Sequence, residues 1–531
     1  MKIKFLFLFL SALFLFNACD STPEVQPDPE LSSTKQLLSF ALEKSKNAEY
    51  LEEDIVGIVE NGTVKLTIPE SVNATKLIAT FTHNGEDVLI SGAPQVSGVT
   101  VNDFTKLMAY TVRAEDKSTK VYSVSTTWLE EEVAQIPRIY IDTEDRLDIT
   151  VKKEYKNATI RIEGGDEYDD FETTTRIRGR GNSTWGMPKK PYKLKLDEAA
   201  PLLGMNSHRE WAVLADYLDK TLLRNITAFE LSRIAEMSWT PASVSFDLYL
   251  NGTYRGVYAM TEQVKVGKER FDIELVTPSD NSGEALTGGY LLELDFHYDE
   301  KFKFKTDKER LPIMFKDPEE PTAEQFNYVK DYYNLAERVL YSDNYRDPEE
   351  GYRKYIHVES FIEYFIVQEL AKNVDGNLRG SCYMSIRRNG KIELPLVWDF
   401  DIAFSNADHI TWEQGATSAE YDGWFIKTQS PWYDRLFQDP DFVAELKNRW
   451  NGMKPKLDEL PNFITKRALR LKDSQAKNFG SKASGGAGWD ITKVEWNTNR
   501  VRGSYDAEVN YLVNFVEKRI EWLDTNINSL N

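Results

Sequence analysis

Cysteine is nearly absent from this chain, with two in 531 residues. A pair cannot frame a disulfide-built fold, so the core has to come from burying the 41% of residues that are hydrophobic. Histidine is almost as scarce. The five are His83, His208, His297, His357 and His409, and none falls in the acid-rich stretch around residue 400. That weakens any reading as a two-metal hydrolase drawing on imidazole ligands. Positive charge is in deficit: 65 Lys and Arg against 85 Asp and Glu leave a net charge of −20. A sequence-blind nucleic-acid binder needs a basic face, so the charge argues against that class. Beyond Phe16 no apolar run is long enough to span a bilayer, and no internal repeat occurs.

What is present begins with Met1 to Lys4, a short basic segment, and Phe5 to Phe16, an apolar run too short for a membrane span. It ends in Phe16-Asn17-Ala18-Cys19-Asp20, which resembles a bacterial lipoprotein signal in which Cys19 becomes the lipidated first residue. Lipidation of Cys19 leaves Cys382 alone and the chain without a disulfide. The expectation is a lipoprotein held at a bacterial membrane, in the periplasm or at the cell surface. Residues 20–34 are rich in Pro, Ser and acids and read as a flexible linker. Residues 35–130 show short strands with turn signals, including Asn61-Gly62, and predict a small all-β, immunoglobulin-like sandwich. Nothing in it has catalytic spacing.

Residues 136–531 change pattern. Strand signals come first, through about Asp295, with Asn251-Gly252 as a hairpin turn; helical periodicity dominates afterwards, as at Thr322–Leu340 and Tyr352–Leu370. The expected class is α+β, a strand-rich part followed by a helix-rich part. Between helices lies a predicted hairpin. Cys382–Arg387 and Ile392–Val397 flank Asn389-Gly390, a pair suited to a two-residue type I′ turn. An antiparallel pair brings its open ends together, so Asp375 and Asp399 should converge although 24 residues separate them. Convergent carboxylates repel unless a cation or proton lies between them. Trp398-Asp399-Phe400-Asp401 sets further acids among aromatics, a desolvation cost that a metal would offset.

A second polar cluster is Arg176-Ile177-Arg178-Gly179-Arg180-Gly181-Asn182, followed by Lys189, Lys190, Lys193 and Lys195. On strands, alternate residues share a face, so these like charges ask for an anion over them. Phosphate fits, and so does a solvated sheet face. Downstream, Asp216, Asp219, Arg224 and Asn225 read equally as an orienting group or as a structural ion network.

Taken in order, Arg178–Trp185, Lys189–Lys195, Leu202–Met205, Arg224-Asn225, Gly256–Glu262, Asn373–Asp375 and Trp398–Asp401 resemble the CotH kinase family, over roughly Ile136 to the end. The resemblance implies a two-lobed, atypical protein-kinase-like fold, ATP, Mg²⁺ or Mn²⁺, and phosphorylation of Ser or Thr in a protein substrate. Asp375 matches the catalytic aspartate and Asp399 the metal-binding one. Within that reading Arg178, Lys190 and Lys193 are the candidate phosphate-gripping cations, and Glu262 orients one of them. Protein kinases carry a second metal ligand, Asn, five residues after the catalytic Asp; here Gly380 stands there, and Asn377, Ser381 or Asp401 is left to substitute. The alternative is a catalytically degenerate adhesion or scaffold lipoprotein built on a kinase-like core.

Overall fold

The computed structural model describes residues 31–129, 135–407, 420–495 and 501–531. The signal stretch, Cys19 and residues 20–30 of the linker lie outside them. Among the described residues no helix is long and apolar enough to cross a membrane.

The chain forms two compact units. The first is all-β. Leu37–Leu42 pairs with Ile55–Val56 and Thr80–His83 in one sheet, and a second, six-stranded sheet centres on Met108–Arg113 and Thr119–Leu129. Phe40 and Phe81 from the first sheet meet Tyr110 from the second edge-on, with centroids 5.1 and 5.7 Å apart, as sheet-on-sheet packing requires. Asn61 and Gly62 both take positive φ (48° and 80°), giving the primed turn that their sequence demands.

The second unit opens with a closed seven-stranded barrel: β1 Arg138–Thr143, β2 Lys156–Glu163, β3 Phe171–Gly179, β4 Tyr192–Ala200, β5 His208–Leu214, β6 Ser243–Leu250 and β7 Thr253–Glu262. Neighbours are antiparallel except β1 and β6, whose parallel register (Arg138↔Asp247 to Ile141↔Leu250) closes the ring. Closure removes both sheet edges. Strand periodicity fills the inside: Ile139, Ile160, Ile177, Leu194, Trp211 and Phe246 are buried together, so Arg176 and Arg178 of β3 must face outward. Asn251 and Gly252 take φ of 53° and 76° and form the expected two-residue turn between β6 and β7.

Helix α1, Arg224–Ile234, lies between β5 and β6 in sequence, and the barrel is followed by a five-stranded antiparallel sheet ordered β9-β10-β8-β11-β12: β8 Tyr290–Leu294, β9 Lys303–Lys305, β10 Pro312–Asp317, β11 Cys382–Ile386 and β12 Ile392–Glu393. Helices α2 (Ala323–Leu340) and α3 (Val358–Ala371) lie between β10 and β11 in sequence, and α4 (Tyr505–Asn528) follows the sheet. Thr322 and Gln325 cap α2 reciprocally. Every side chain of α3 but Glu359 is buried, including the polar Ser360, Glu363, Gln368 and Glu369. It ends at Lys372 in left-handed backbone, φ 43°, which turns the chain into Asn373-Val374-Asp375.

The hairpin is shorter than its sequence suggests. β11 and β12 pair only at Ser385↔Glu393 and Ile386↔Ile392, and of Asn389-Gly390 only Asn389 has positive φ, 54°. The turn is docked: Thr287 Oγ1 accepts the Asn389 amide at 2.8 Å. Pro395 has no amide proton to continue the ladder. The consequence drawn from the hairpin nonetheless holds, since Asp375 and Asp399 open onto one cavity.

Candidate active site

Register brings the acids together. β8 lies beside β11 with Leu294 opposite Cys382, so Asp295, one residue past β8, sits next to Ser381, one residue before β11. Ser381 N donates to Asp295 Oδ2 at 3.3 Å. Asp375 follows α3 on the same side, with Gly380 N bonded to its carbonyl at 3.0 Å. Asp399 and Asp401 arrive on the strand exit, Asp399 in left-handed backbone at φ 67°. Asn225 of α1 fixes that loop: its Oδ1 accepts Phe400 N at 2.8 Å and its Nδ2 donates to Asp216 Oδ1 at 2.8 Å. Asp219 is spent otherwise. It caps α1 through Leu223 N and Arg224 N at 3.0 and 2.8 Å and pairs with the Arg224 guanidinium.

These carboxylates share a cavity of about 460 Å³ with Arg178, Arg180, Lys189 and Lys316. Burial, then Asp399 and Asp295, push Asp375 up to about 6. Burial and neighbouring Asp219 raise Asp216, also to about 6. Asp399 lies deep yet open to the cavity; burial raises it and Arg180 pulls it back. Asp401 is raised too, by burial and by Asp399, Asp216, Asp219 and Asp375. Its residue is 8% exposed, and its carboxylate has no hydrogen bond or ion pair among the described residues. Such crowding is the signature of groups held against their own repulsion for a task.

Residues 177–523 match the family model for CotH kinase protein. The chain belongs to the CotH kinase protein family. Residues 46–126 match the family described as SGBP, N-terminal. No curated protein matches. A crystal structure from Bacteroides thetaiotaomicron, described as a candidate glycoside hydrolase, is similar at 16% identity and a TM-score of 0.15, over 42% of this chain and 55% of that one. The match thus spans about half of that protein, and the likeness says nothing about the site.

Within the CotH kinase domain the cations differ from the expected ones. Lys193 of β4 stands opposite Arg178 in register, but Glu210 of β5 reaches both Lys193 (3.0 Å) and Lys195 (3.4 Å). The anion over that face is a protein carboxylate, on a strand the sequence reading overlooked. Lys190 donates to the Trp185 carbonyl at 2.8 Å. Glu262 faces Arg270 at 2.8 Å and accepts Ala242 N at 3.0 Å. None of the three lines the cavity. Lys152, Lys153, Lys189 and Lys316 line it instead; Lys189, 1% exposed, is the most buried of them, donates to the Val257 carbonyl and lies 4.6 Å from the Tyr258 ring centre. Burial draws its ammonium down to about 7, against the opposing pull of Asp216. Arg178 lines the cavity too, but gives Nη1 to the Lys152 carbonyl at 2.6 Å. Arg180 has no ion pair among the described residues and lies 5.6 Å from the Trp398 ring centre, beside Asp399. Asn377 is buried with Oδ1 unpartnered and does not reach the cavity. Gly181, at φ 84°, turns the chain so tightly that a Cβ there would strike Thr184 Oγ1 at 2.1 Å. Asp295 lines the cavity and is missed by sequence reasoning, which names Asp216 only as an orienting or structural acid and Lys189 only as one of the clustered cations. Asp295 has no local signal, since only the pairing of β8 with β11 brings it to the site.

Proposed function

We propose that this chain is an atypical kinase that transfers the terminal phosphate of ATP to Ser or Thr hydroxyls of surface or extracellular proteins. In this reading residues 136–531 form a two-lobed kinase-like domain, carried by the β module of 35–130 and the linker of 20–34 on a lipid anchor at Cys19. The observation that supports it is one cavity holding Asp375, Asp399 and Asp401 together with the cations Lys189 and Arg180. Family membership argues for ATP and a divalent metal in general.

The donor set suits Mg²⁺ or Mn²⁺, because it is all oxygen and includes the unpartnered Asp401 carboxylate. Among the described residues no three His, Cys, Asp or Glu side chains are gathered closely enough to hold a metal alone, so the ion would draw its remaining ligands from outside the protein. Asp399 and Asp401 would hold the ion, which would supply charge neutralisation at the phosphates. Lys189 and Arg180 grip the same phosphates. Asp375 orients the acceptor hydroxyl and takes its proton as the oxygen bonds to the terminal phosphorus and ADP departs with the bridging oxygen.

The test is incubation of the purified protein with γ-labelled ATP, Mg²⁺ or Mn²⁺ and candidate surface proteins, followed by phosphoamino-acid analysis. The expected product is phosphoserine or phosphothreonine. No transfer, together with ATP·Mg²⁺ binding unchanged in Asp399→Ala, would refute the reading. A narrower prediction separates the lysines. Lys189→Met should weaken ATP·Mg²⁺ binding about 10- to 100-fold, the worth of a charge-assisted hydrogen bond, while Lys193→Met leaves it unchanged. Calorimetric titration of both variants checks this.

A further inference from the structure

Phe296 is 51% exposed, the most exposed Phe, Tyr or Trp side chain among the described residues. A single exposed ring ordinarily needs no explanation. This one sits on a rigid turn at the rim of the cavity. Asp295, which precedes it, binds the His297 amide at 2.8 Å and His297 Nδ1 at 2.7 Å through Oδ1, and Ser381 N through Oδ2. Tyr298 follows in left-handed backbone, φ 49°, and its carbonyl accepts Lys303 Nζ at 2.7 Å. The Phe296 ring stacks on the His297 ring with centroids 4.4 Å apart. Its edge lies over Gly380: a Cβ there would come within 3.0 Å of the ring and 3.2 Å of the Asp375 Cβ. The ring thus occupies the ground that a side chain at 380 would take. A side chain at 380 would have to push the ring aside by a few tenths of an ångström. Phe296, Gly380 and Asp375 are consecutive in space.

We infer that Phe296 and His297 form the acceptor platform of this site and select a peptide whose hydroxyl residue is flanked by an aromatic or bulky apolar side chain. The inference rests on the phosphotransfer reading and extends it to substrate choice. A flanking ring that stacks on Phe296 is held a few ångströms from Asp375, which is where a neighbouring hydroxyl has to lie. The same ring loses water-exposed apolar area on both partners, so the platform gains most from large planar groups. Asp299, exposed on the same rim, disfavours an acidic neighbour.

The experiment uses the full chain, γ-labelled ATP with Mg²⁺, and two serine peptides that differ only in the flanking residue, Phe or Asp. The expected wild-type preference for the Phe peptide is at least about tenfold in kcat/KM. Phe296→Ala should abolish that preference through a higher KM for the Phe peptide, and Phe296→Trp should retain it. Equal use of both peptides by the wild type, or a preference that survives Phe296→Ala, overturns the platform while leaving the phosphotransfer reading in place. Absence of transfer from the wild type, matching Asp375→Asn, overturns the phosphotransfer reading and the platform with it.

Discussion

Replacing Asp375 by Asn lowers phosphoryl transfer about a thousandfold, within the 10²–10⁴ range that one positioned base contributes, and leaves ATP binding intact. The amide keeps the shape of the carboxylate but cannot take the acceptor proton. Stability should move the other way. Asp375 is pushed up by burial and by the nearby Asp399 and Asp295 charges, so a neutral isostere relieves repulsion and the variant melts at a higher temperature. Activity lost while stability rises is the mark of a residue kept for chemistry. The pH dependence follows in sign. Asp375 has to be ionised to accept a proton, and its pKa stands at about 6. Transfer by the wild type therefore falls as pH drops through about 6 or, with a cation neutralising Asp399, somewhat below it. A pH–rate profile beside a thermal melt of Asp375→Asn checks both.

Arg519→Met destabilises the protein by about 3–5 kcal/mol, the usual cost of removing one partner from a buried ion pair. Arg519 of α4 and Glu369 of α3 are both 0% exposed and meet at 2.5 Å. Arg519 also donates to the Tyr421 and Gly423 carbonyls, each at 2.8 Å. Glu369 accepts Phe425 N at 2.7 Å and Lys427 N at 2.9 Å. Without the guanidinium, a buried carboxylate loses its counter-charge and two carbonyls lose their donors. Glu369→Gln combined with Arg519→Met should cost less than the two single changes summed, because the stranded charge is then gone. Denaturant unfolding of the three variants measures the difference. The pair also bears on the site, for it ties residues 421–427 to the end of α3, three residues before Lys372 turns the chain toward Asp375.

Local signals carried much of this far. Asn251-Gly252 marked its turn because φ > 0 at two successive positions is nearly a Gly and Asn privilege. The acids at 375, 399 and 401 were visible because an antiparallel pair must return to its starting end, whatever the turn's exact form. Barrel closure was not visible. It depends on β1 meeting β6 in parallel across about a hundred residues, and no local pattern specifies such a partner. That Lys193 lies off the cavity was hidden for a related reason. Lys193 lies on an outward face that Glu210 neutralises, and Glu210 belongs to β5, whose sequence His208-Arg209-Glu210-Trp211 is too polar at its start to announce a strand. Asp295 and Phe296 reach the site only through the pairing of β8 with β11, which again is non-local.

The most direct test of the account is a crystal of the protein grown with Mn²⁺ and a non-hydrolysable ATP analogue, examined by anomalous scattering. The account predicts a manganese peak about 2.0–2.3 Å from carboxylate oxygens of Asp399 and Asp401, with the analogue's phosphates between Asp375 and Lys189. A manganese peak away from these carboxylates, or phosphates lying instead over the Lys193 and Lys195 face of the barrel, would contradict it.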